Sequence, residues 1–524
     1  MKNTKIWLLC LLMAGTACSK LDQDPYGSGI VETQYYTTLE QCNTSTQVAY
    51  RFINYSTWWE ILNWRYLSGE AASDNGWIGN TYQSTHPTYD AVAHYTLDPS
   101  NDRNEAQWID LYKSIGRFNS TIEGITGAPI DDASKKRFIA ELKFLRAWCY
   151  YDLVRNWGGV PIVLKIESPG THIPRSAPAD VYALIVNDLK ECAAALPLKS
   201  EYPAKDRYRA SKGAAQTLLA KTYLYMEDWA NAETTANLVI NSGEYDLEPE
   251  FGDLWGYNYK NGIESVFEIQ NGSSQVPDLP FNQFITMLNS TADAGWGYYS
   301  VTSDLENAYK SEGDSIRLQW TINRHGLPVA GDPNNTAFDG RPYPSQNHSK
   351  SGRYSRKHYV PKAQRPANGR PALNDKIFRF ADVLLIHAEA CAMLKKPADA
   401  LRSLKRVRDR VDLITDMSLT EWDLINAVRK ERRLETAFEG DRLYDIRRWK
   451  DASGKPVINS IMGPNGSFVK YNTETSTDAM EKNNPLERQD KGINFDPEIH
   501  RLWPIPASQV LLAEGAVEQN FGYY

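Results

Sequence analysis

Residues 210–242 read ASKGAAQTLLAKTYLYMEDWANAETTANLVINS, and residues 380–410 read FADVLLIHAEACAMLKKPADALRSLKRVRDR. Each stretch opens with a Leu/Ala/aromatic run at helical spacing and breaks at a short polar turn. The turn is Glu227-Asp228 in the first and Lys395-Lys396-Pro397 in the second. A second helix then begins near an alanine, Ala232 or Ala400. Small residues there let two antiparallel helices approach closely, and hairpins of this kind bury their remaining apolar faces on one another. The pattern predicts tetratricopeptide-like helical hairpins, although two copies are also compatible with two unrelated hairpins.

Working outward, further helices are read from apolar periodicity and end signals. Thr37 and Glu40 have the spacing of a capping box, in which side chain and backbone satisfy each other's orphan amides. Residues 106–122 place Trp108, Leu111, Tyr112, Ile115 and Phe118 at helical spacing. Residues 136–156 form a long amphipathic stretch ended by Gly158-Gly159 and Val160-Pro161, and residues 180–195 carry Val181, Leu184, Ile185 and Leu189 on one face. Trp58, Trp59 and Trp64 fall in a helical run and are expected in the core. Between the hairpins, residues 271–370 are rich in Gly, Asn, Ser and Pro with poor periodicity, and loops of that length are functional or disordered. Trp296, Tyr298, Tyr299 and Trp320 argue against disorder, since disordered segments lack aromatics. Residues 484–524 are loop-rich, with HRLWPIPASQV (residues 500–510) as an ordered closing segment. The fold class expected is mostly α, with helical hairpins packed against a loop-rich variable region.

The 524 residues are 42% hydrophobic and 23% charged, which is ordinary globular usage. Fifteen Trp and 30 Tyr exceed what packing alone requires and point to a surface that binds by stacking. The formal net charge is -7 and no basic stripe is present, which excludes a nucleic-acid partner on electrostatic grounds.

Lys2 and Lys5 precede an apolar run over residues 6–13, too short to span a bilayer. Ala14, Gly15, Thr16 and Ala17 then lead into Cys18, the pattern of a bacterial lipoprotein signal whose cysteine carries lipid. The alternative is an ordinary cleaved signal with an incidental cysteine. The division expected is a signal peptide over residues 1–17 and a single domain over 18–524. Within it lie a helical part (about 18–260), a loop-rich insertion (about 271–370) and a second helical part with the closing segment (about 371–524). Of six cysteines, Cys10 lies in the signal and Cys18 is the anchor. Cys42, Cys149, Cys192 and Cys391 are scattered with no CxxC pair, and the last three read as small core hydrophobes. No disulfide framework, zinc site or calcium-loop spacing is evident, so no cofactor or metal is expected.

The segment KERRLETAFEGDRLYDIRRWK (residues 430–450) resembles the signature of the SusD/RagB family, and LWPIPASQVLLAEGAVEQNFGYY (residues 502–524) is similar to that family's C-terminus. Phe521 stands where the family usually has a proline. AELKFLRAWCYYDLVRNWGGVPIVLK (140–165), YRASKGAAQTLLAKTYLY (208–225), SDLENAYKSEGDSIR (303–317) and FRFADVLLIHAEA (378–390) match further family segments in the right order. The resemblance implies a surface lipoprotein of a Gram-negative outer membrane. Such a protein sits as a lid on a SusC-like TonB-dependent transporter and captures oligosaccharides, or in the RagB branch peptides.

Read for themselves, Glu431, Glu435 and Glu439 fall at i, i+4 and i+8 on one helix face, where like charges repel. They could form a carboxylate cluster for metal or glycosidic chemistry. Interleaved Arg432, Arg433, Arg442, Arg447 and Arg448 favour an ion-pair network between packed helices instead. No HExxH, GxSxG, Walker or Rossmann motif occurs, and no catalytic residue is assigned. His387, inside an apolar helix, reads as a satisfied core histidine. A glycosidase needs only two placed carboxylates and stays the enzymatic alternative.

Pyranose rings present C–H faces to flat aromatics, while their hydroxyls seek polar partners on loops. Two stretches have that composition. SGEAASDNGWIGNTYQ (residues 68–83) sets Trp77 and Tyr82 beside Asp74 and Asn75, and ADAGWGYYS (residues 292–300) offers Trp296 and Tyr298. Trp320 is a weaker candidate. Each aromatic could instead be a loop anchor packed inward.

Overall fold

The computed structural model describes residues 35–53, 60–78, 87–168, 170–271, 287–288, 295–324, 351–361, 364, 373–471 and 491–524. Residues 1–17, Cys18, Trp58, Trp59 and Tyr82 lie outside this set. The first helices are α1 (Leu39–Ala49), α2 (Glu60–Tyr66) and α3 (Pro87–Ala93). The long pair α4 (Asp102–Gly127) and α5 (Asp132–Trp157) follows, then α6 (Pro178–Ala195), α7 (Lys212–Tyr225) and α8 (Trp229–Ile240). The middle of the chain adds α9 (Ser303–Glu312) and α10 (Ser315–Thr321). The chain continues through α11 (Phe380–Met393), α12 (Pro397–Asp409), α13 (Glu421–Glu435) and α14 (Arg442–Arg448). It closes with the short α15 (Ile458–Ile461), α16 (Ser467–Lys470) and α17 (Ala507–Leu512). Among the described residues no helix is long and apolar enough to cross a membrane.

The two hairpins that the sequence singles out share one turn. In the first, Glu227 adopts φ 58° and Asp228 N donates to Tyr223 O at 2.9 Å. In the second, Lys395 adopts φ 58° and Lys396 N donates to Cys391 O at 2.9 Å. A left-handed residue after the last helical turn lets these amides reach back to orphan carbonyls. It costs a non-glycine residue about 1 kcal/mol, which the hairpin packing must offset. Asp228 then caps α8 by accepting from Asn231 N, and Pro397 opens α12 at a position whose amide would have no helical partner.

The hairpins also stack as neighbours. From α4 to α8 each helix packs on the next, and α8 packs directly on α11 although residues 241–379 lie between them. Residues 241–379 therefore lie between two hairpins that are neighbours in space. The chain leaves and returns through the antiparallel pairing of β2 (Ser265–Ile269) with β6 (Asp375–Arg379), which ends where α11 begins. The strands, in chain order, are β1 (Gly76–Ile78), β2 (Ser265–Ile269), β3 (Tyr299–Val301), β4 (Ile322–Arg324), β5 (Arg353–Ser355) and β6 (Asp375–Arg379). They pair β1–β3, β2–β6 and β4–β5. The closing segment seats Trp503 in the core against Trp64, which is stacked on Trp157, and Trp503 N donates to Asn156 O at 2.8 Å.

Two local expectations change. The α1 cap is shifted by one residue: Thr38 accepts from Gln41 N at 3.2 Å and Gln41 Oε1 accepts from Thr38 N at 3.0 Å. Glu40 stays exposed in the first turn. The three glutamates of the signature segment do form a buried ion-pair network, but with partners from distant elements. Glu435 meets Arg317, Arg379 and Arg410, and Glu431 meets Arg317 and Arg408. Glu439, which lies beyond the end of α13, meets Arg379 and Lys357. The neighbouring arginines turn elsewhere: Arg432 to Asp382 and Asp445, Arg448 to Glu389, and Arg447 Nη2 to the His500 carbonyl.

The interior holds neutral histidines. His358 lies between Tyr66 and Ser355, with Nε2 at 2.9 Å from the Tyr66 hydroxyl. Burial and the neighbouring Lys357, Lys376 and Arg65 push its pKa down to about 3. An unfolded histidine titrates near 6.5. Between those values the unfolded chain binds a proton that the folded chain refuses, so stability falls as pH drops below about 6.5 and levels off below about 3. Urea midpoints measured from pH 7 to 4 should decline, and His358→Gln should lessen the slope. Parallel slopes for the two proteins would contradict the assignment.

A partly exposed aromatic platform as candidate ligand site

The two stretches expected to bind ligand are brought together by one strand pair. β1 and β3 run antiparallel with Trp77 opposite Ser300 and Ile78 opposite Tyr299. The two neighbouring tyrosines part at the edge of β3: Tyr298 precedes the strand and Tyr299 opens it. Tyr299 points inward, is 1% exposed and donates to Asn63 Oδ1 at 2.6 Å. Tyr298 is only half-buried, and its amide is fixed by donation to Met287 O at 2.9 Å. Gly297, at φ 65°, supplies the left-handed turn that folds Trp296 back, with its ring centroid 5.5 Å from that of Tyr298. The indole of Trp296 is 39% exposed, a large apolar face left to solvent.

A third ring, itself buried, backs the pair; the planes are tilted by 46° between Trp296 and Tyr298 and by 51° between Tyr298 and Tyr89. Tyr89 of α3 lies 5.7 Å from Tyr298, and the Arg103 guanidinium stands 5.4 Å from the Tyr89 centroid. Asn63 Nδ2 donates to the Tyr89 hydroxyl at 3.0 Å, so one amide side chain holds both Tyr89 and Tyr299. Asn101 has a double role: its Oδ1 caps α4 and its Nδ2 donates to Thr88 O at 2.9 Å, locking α3 against the start of α4. Arg103 is oriented by Asp102 at 3.0 Å. Burial raises the Tyr298 phenol, opposed by Arg103, so the hydroxyl stays neutral and can both donate and accept. An exposed indole face edged by a half-buried phenol and a guanidinium can hold a ligand with an apolar face and hydroxyl rim. Nothing in the sequence periodicity marks Tyr89 or Arg103, which reach the platform only through the packing of α3 on α4.

The expectation that Asp74, Asn75 and Trp77 line an exposed loop is corrected. Asp74 is 2% exposed and is clamped by Arg442 at 2.7 and 2.8 Å, with Arg433 at 3.1 Å. These arginines hold its carboxyl well below the usual range despite burial. Asn75 is buried between Glu70, to which it donates at 3.0 Å, and Arg433, from which it accepts at 2.9 Å. Trp77 is 1% exposed, packs on Phe468 at 5.6 Å and lies under the Lys491 ammonium at 5.3 Å. The segment is interior because Gly69 and Gly440 meet there: a Cβ on Gly69 would stand 2.2 Å from Gly440 O. Trp320 sits half-buried on the Phe251/Leu254/Trp255 cluster, away from the platform's elements and with Arg356 4.7 Å from its ring. A Cβ on Gly252 would collide with its indole, so Trp320 serves as a packing plug.

Known proteins share this architecture. Residues 255–523 match the family model described as the SusD family, and residues 32–224 match one described as starch-binding associating with outer membrane. The chain is 27% identical to SusD-like protein P2 of Formosa agariphila over 554 aligned positions, covering 100% of both. A SusD homolog from Bacteroides thetaiotaomicron superposes with a TM-score of 0.73 at 22% identity, covering 94% of this chain and 98% of that one. Surface glycan-binding protein A from the same organism, in complex with laminarihexaose, superposes with a TM-score of 0.68 at 21% identity, covering 92% and 99%. With the SusD family model spanning residues 255–523, more than half of the chain, the chain belongs to the SusD family.

Proposed function

We propose that this protein is a cell-surface lipoprotein, anchored through Cys18, that captures oligosaccharides and passes them to a SusC-like TonB-dependent transporter. It acts by binding alone. The observation that carries this reading is the partly exposed indole of Trp296 laid against Tyr298, whose ring is backed by Tyr89 with Arg103 beside it. Aromatic faces bury the C–H side of a sugar ring, and the neighbouring polar groups replace the water lost by its hydroxyls. The laminarihexaose held by a structural neighbour supports a glucan as the first ligand to try. The description of the second matching family model supports the outer membrane as the site of action.

The test is retention of the purified chain on gels carrying plant, host or microbial polysaccharides, with tryptophan fluorescence as a second readout. Saturable binding to one glycan class, without release of shortened products, is the expected result. A folded chain that binds no glycan, or one that releases shortened products, would overturn the reading in favour of peptide capture or hydrolysis respectively.

A further inference from the structure

His387 and Cys391 stand one turn apart on α11, and Glu233 lies on α8, the helix of the preceding hairpin that packs against it. One ligand atom from each residue falls within 4.8 Å of the other two. Cys391 is fully buried and His387 nearly so, while the Glu233 side chain is 16% exposed at the edge of the packed helices. His387 Nδ1 meets the Ser403 hydroxyl of α12 at 2.8 Å. Its other nitrogen, Nε2, is 3.4 Å from Cys391 Sγ, which is itself 3.8 Å from Nδ1. Glu233 Oε2 accepts from Lys396 Nζ at 2.7 Å, leaving its second oxygen for another partner.

We propose that Glu233, His387 and Cys391 form a Zn²⁺ site that staples the two hairpins, with a fourth position open to water. Zinc takes four ligands from sulfur, nitrogen and oxygen at about 2.0–2.3 Å, which sets neighbouring ligand atoms roughly 3.5 Å apart. Sγ and Nε2 already have that separation. The sulfur lies toward the face of the imidazole, so binding requires a small turn of the Cys391 side chain onto the Nε2 side and a draw inward by Glu233. Both outer ligands have a supporting partner in place, Ser403 for the imidazole and Lys396 for the carboxylate, as metal ligands ordinarily do. A thiolate, an imidazole and a carboxylate together favour zinc over calcium or magnesium, which prefer all-oxygen sets, and over copper(I), which prefers sulfur. On binding, the Cys391 thiol gives its proton to solvent and the S–Zn bond forms with no change of oxidation state. Thiolate and carboxylate neutralise the ion. The sequence expectation of no metal rested on the lack of a CxxC pair, whereas here a His/Cys pair one turn apart on α11 meets Glu233 through the stacking of one hairpin on the next.

The full chain, stripped with a chelator, should bind one equivalent of Zn²⁺ by calorimetry. With Co²⁺ it should show the near-ultraviolet thiolate-to-cobalt absorption band. Cys391→Ser should abolish that band. Ser403→Ala should weaken zinc by about 10- to 100-fold while keeping the band. Should Cys391→Ser fail to fold, Glu233→Gln at the rim of the site is the second variant, expected to weaken zinc by at least about tenfold with the helical circular dichroism unchanged. A folded chain that binds no zinc would overturn the proposal. So would zinc binding and a cobalt band unchanged in Cys391→Ser or, where that variant does not fold, in Glu233→Gln, as if another cysteine held the metal.

Discussion

Glu435→Ala is expected to destabilise the fold by about 3–5 kcal/mol, the cost of removing one partner from a buried charge network. A domain's whole stability is only about 5–15 kcal/mol, so the variant should give little soluble protein or a sharply lowered unfolding midpoint. Glu435 is fully buried and joins α13 to Arg317 of α10, Arg379 at the start of α11 and Arg410 at the end of α12. These cations hold its carboxyl well below the usual range against the effect of burial. Without it, Arg410 keeps only Glu264, which it shares with Arg379, so the interior carries uncompensated positive charge. Lys405→Ala is the contrast. Its pair with Asp409 is exposed on both sides, and the loss should stay within about 0.5 kcal/mol. A denaturant series on both variants measures the difference, and a Glu435→Ala midpoint equal to that of Lys405→Ala would refute the structural role of the hub.

Trp77→Ala and Trp296→Ala are expected to part company. Trp77→Ala empties a core site between Phe468 and Lys491 and should cost about 3–5 kcal/mol of stability. Trp296→Ala removes a ring already 39% exposed, so the unfolding midpoint should stay nearly unchanged. Glycan affinity should instead fall by about tenfold or more, since a central aromatic anchor typically contributes upward of about 1–2 kcal/mol to binding. Paired unfolding curves and affinity gels decide it. The reverse pattern, binding lost with the fold intact in Trp77→Ala and unfolding in Trp296→Ala, would show that the two rings have been assigned the wrong sides of the β1–β3 pair.

Several elements were legible in the chain itself. Helices α4 to α8 and the pair α11–α12 follow from apolar residues recurring every three or four positions and from end signals such as Asp228, Gly158 and Pro397. The near-identity of the two turns at Glu227 and Lys395 was visible as a repeat because turn geometry is set by a few adjacent residues. Of the candidate site, the stretch containing Trp296 and Tyr298 was legible by composition alone.

The rest was decided by contacts between residues far apart in the chain. SGEAASDNGWIGNTYQ has the glycines, asparagines and aromatics of a binding loop, yet Arg442, Arg433 and Lys491 arrive from the C-terminal third and enclose Asp74, Asn75 and Trp77. The glutamates of α13 passed over their neighbours for Arg317, Arg379 and Arg410, because a buried charge is satisfied by whichever partner the packing delivers. The same holds for Tyr89 beside Tyr298, and for Glu233 beside His387 and Cys391. The sequence by itself determined where the long amphipathic helices and the turns of the two hairpins lie, since those signals are local to a turn or two, though the long helices α4 and α5 start four residues earlier than read. Which ring faces solvent, which charges pair and which ligand atoms meet were left to the tertiary structure, because burial and contact depend on elements hundreds of residues away.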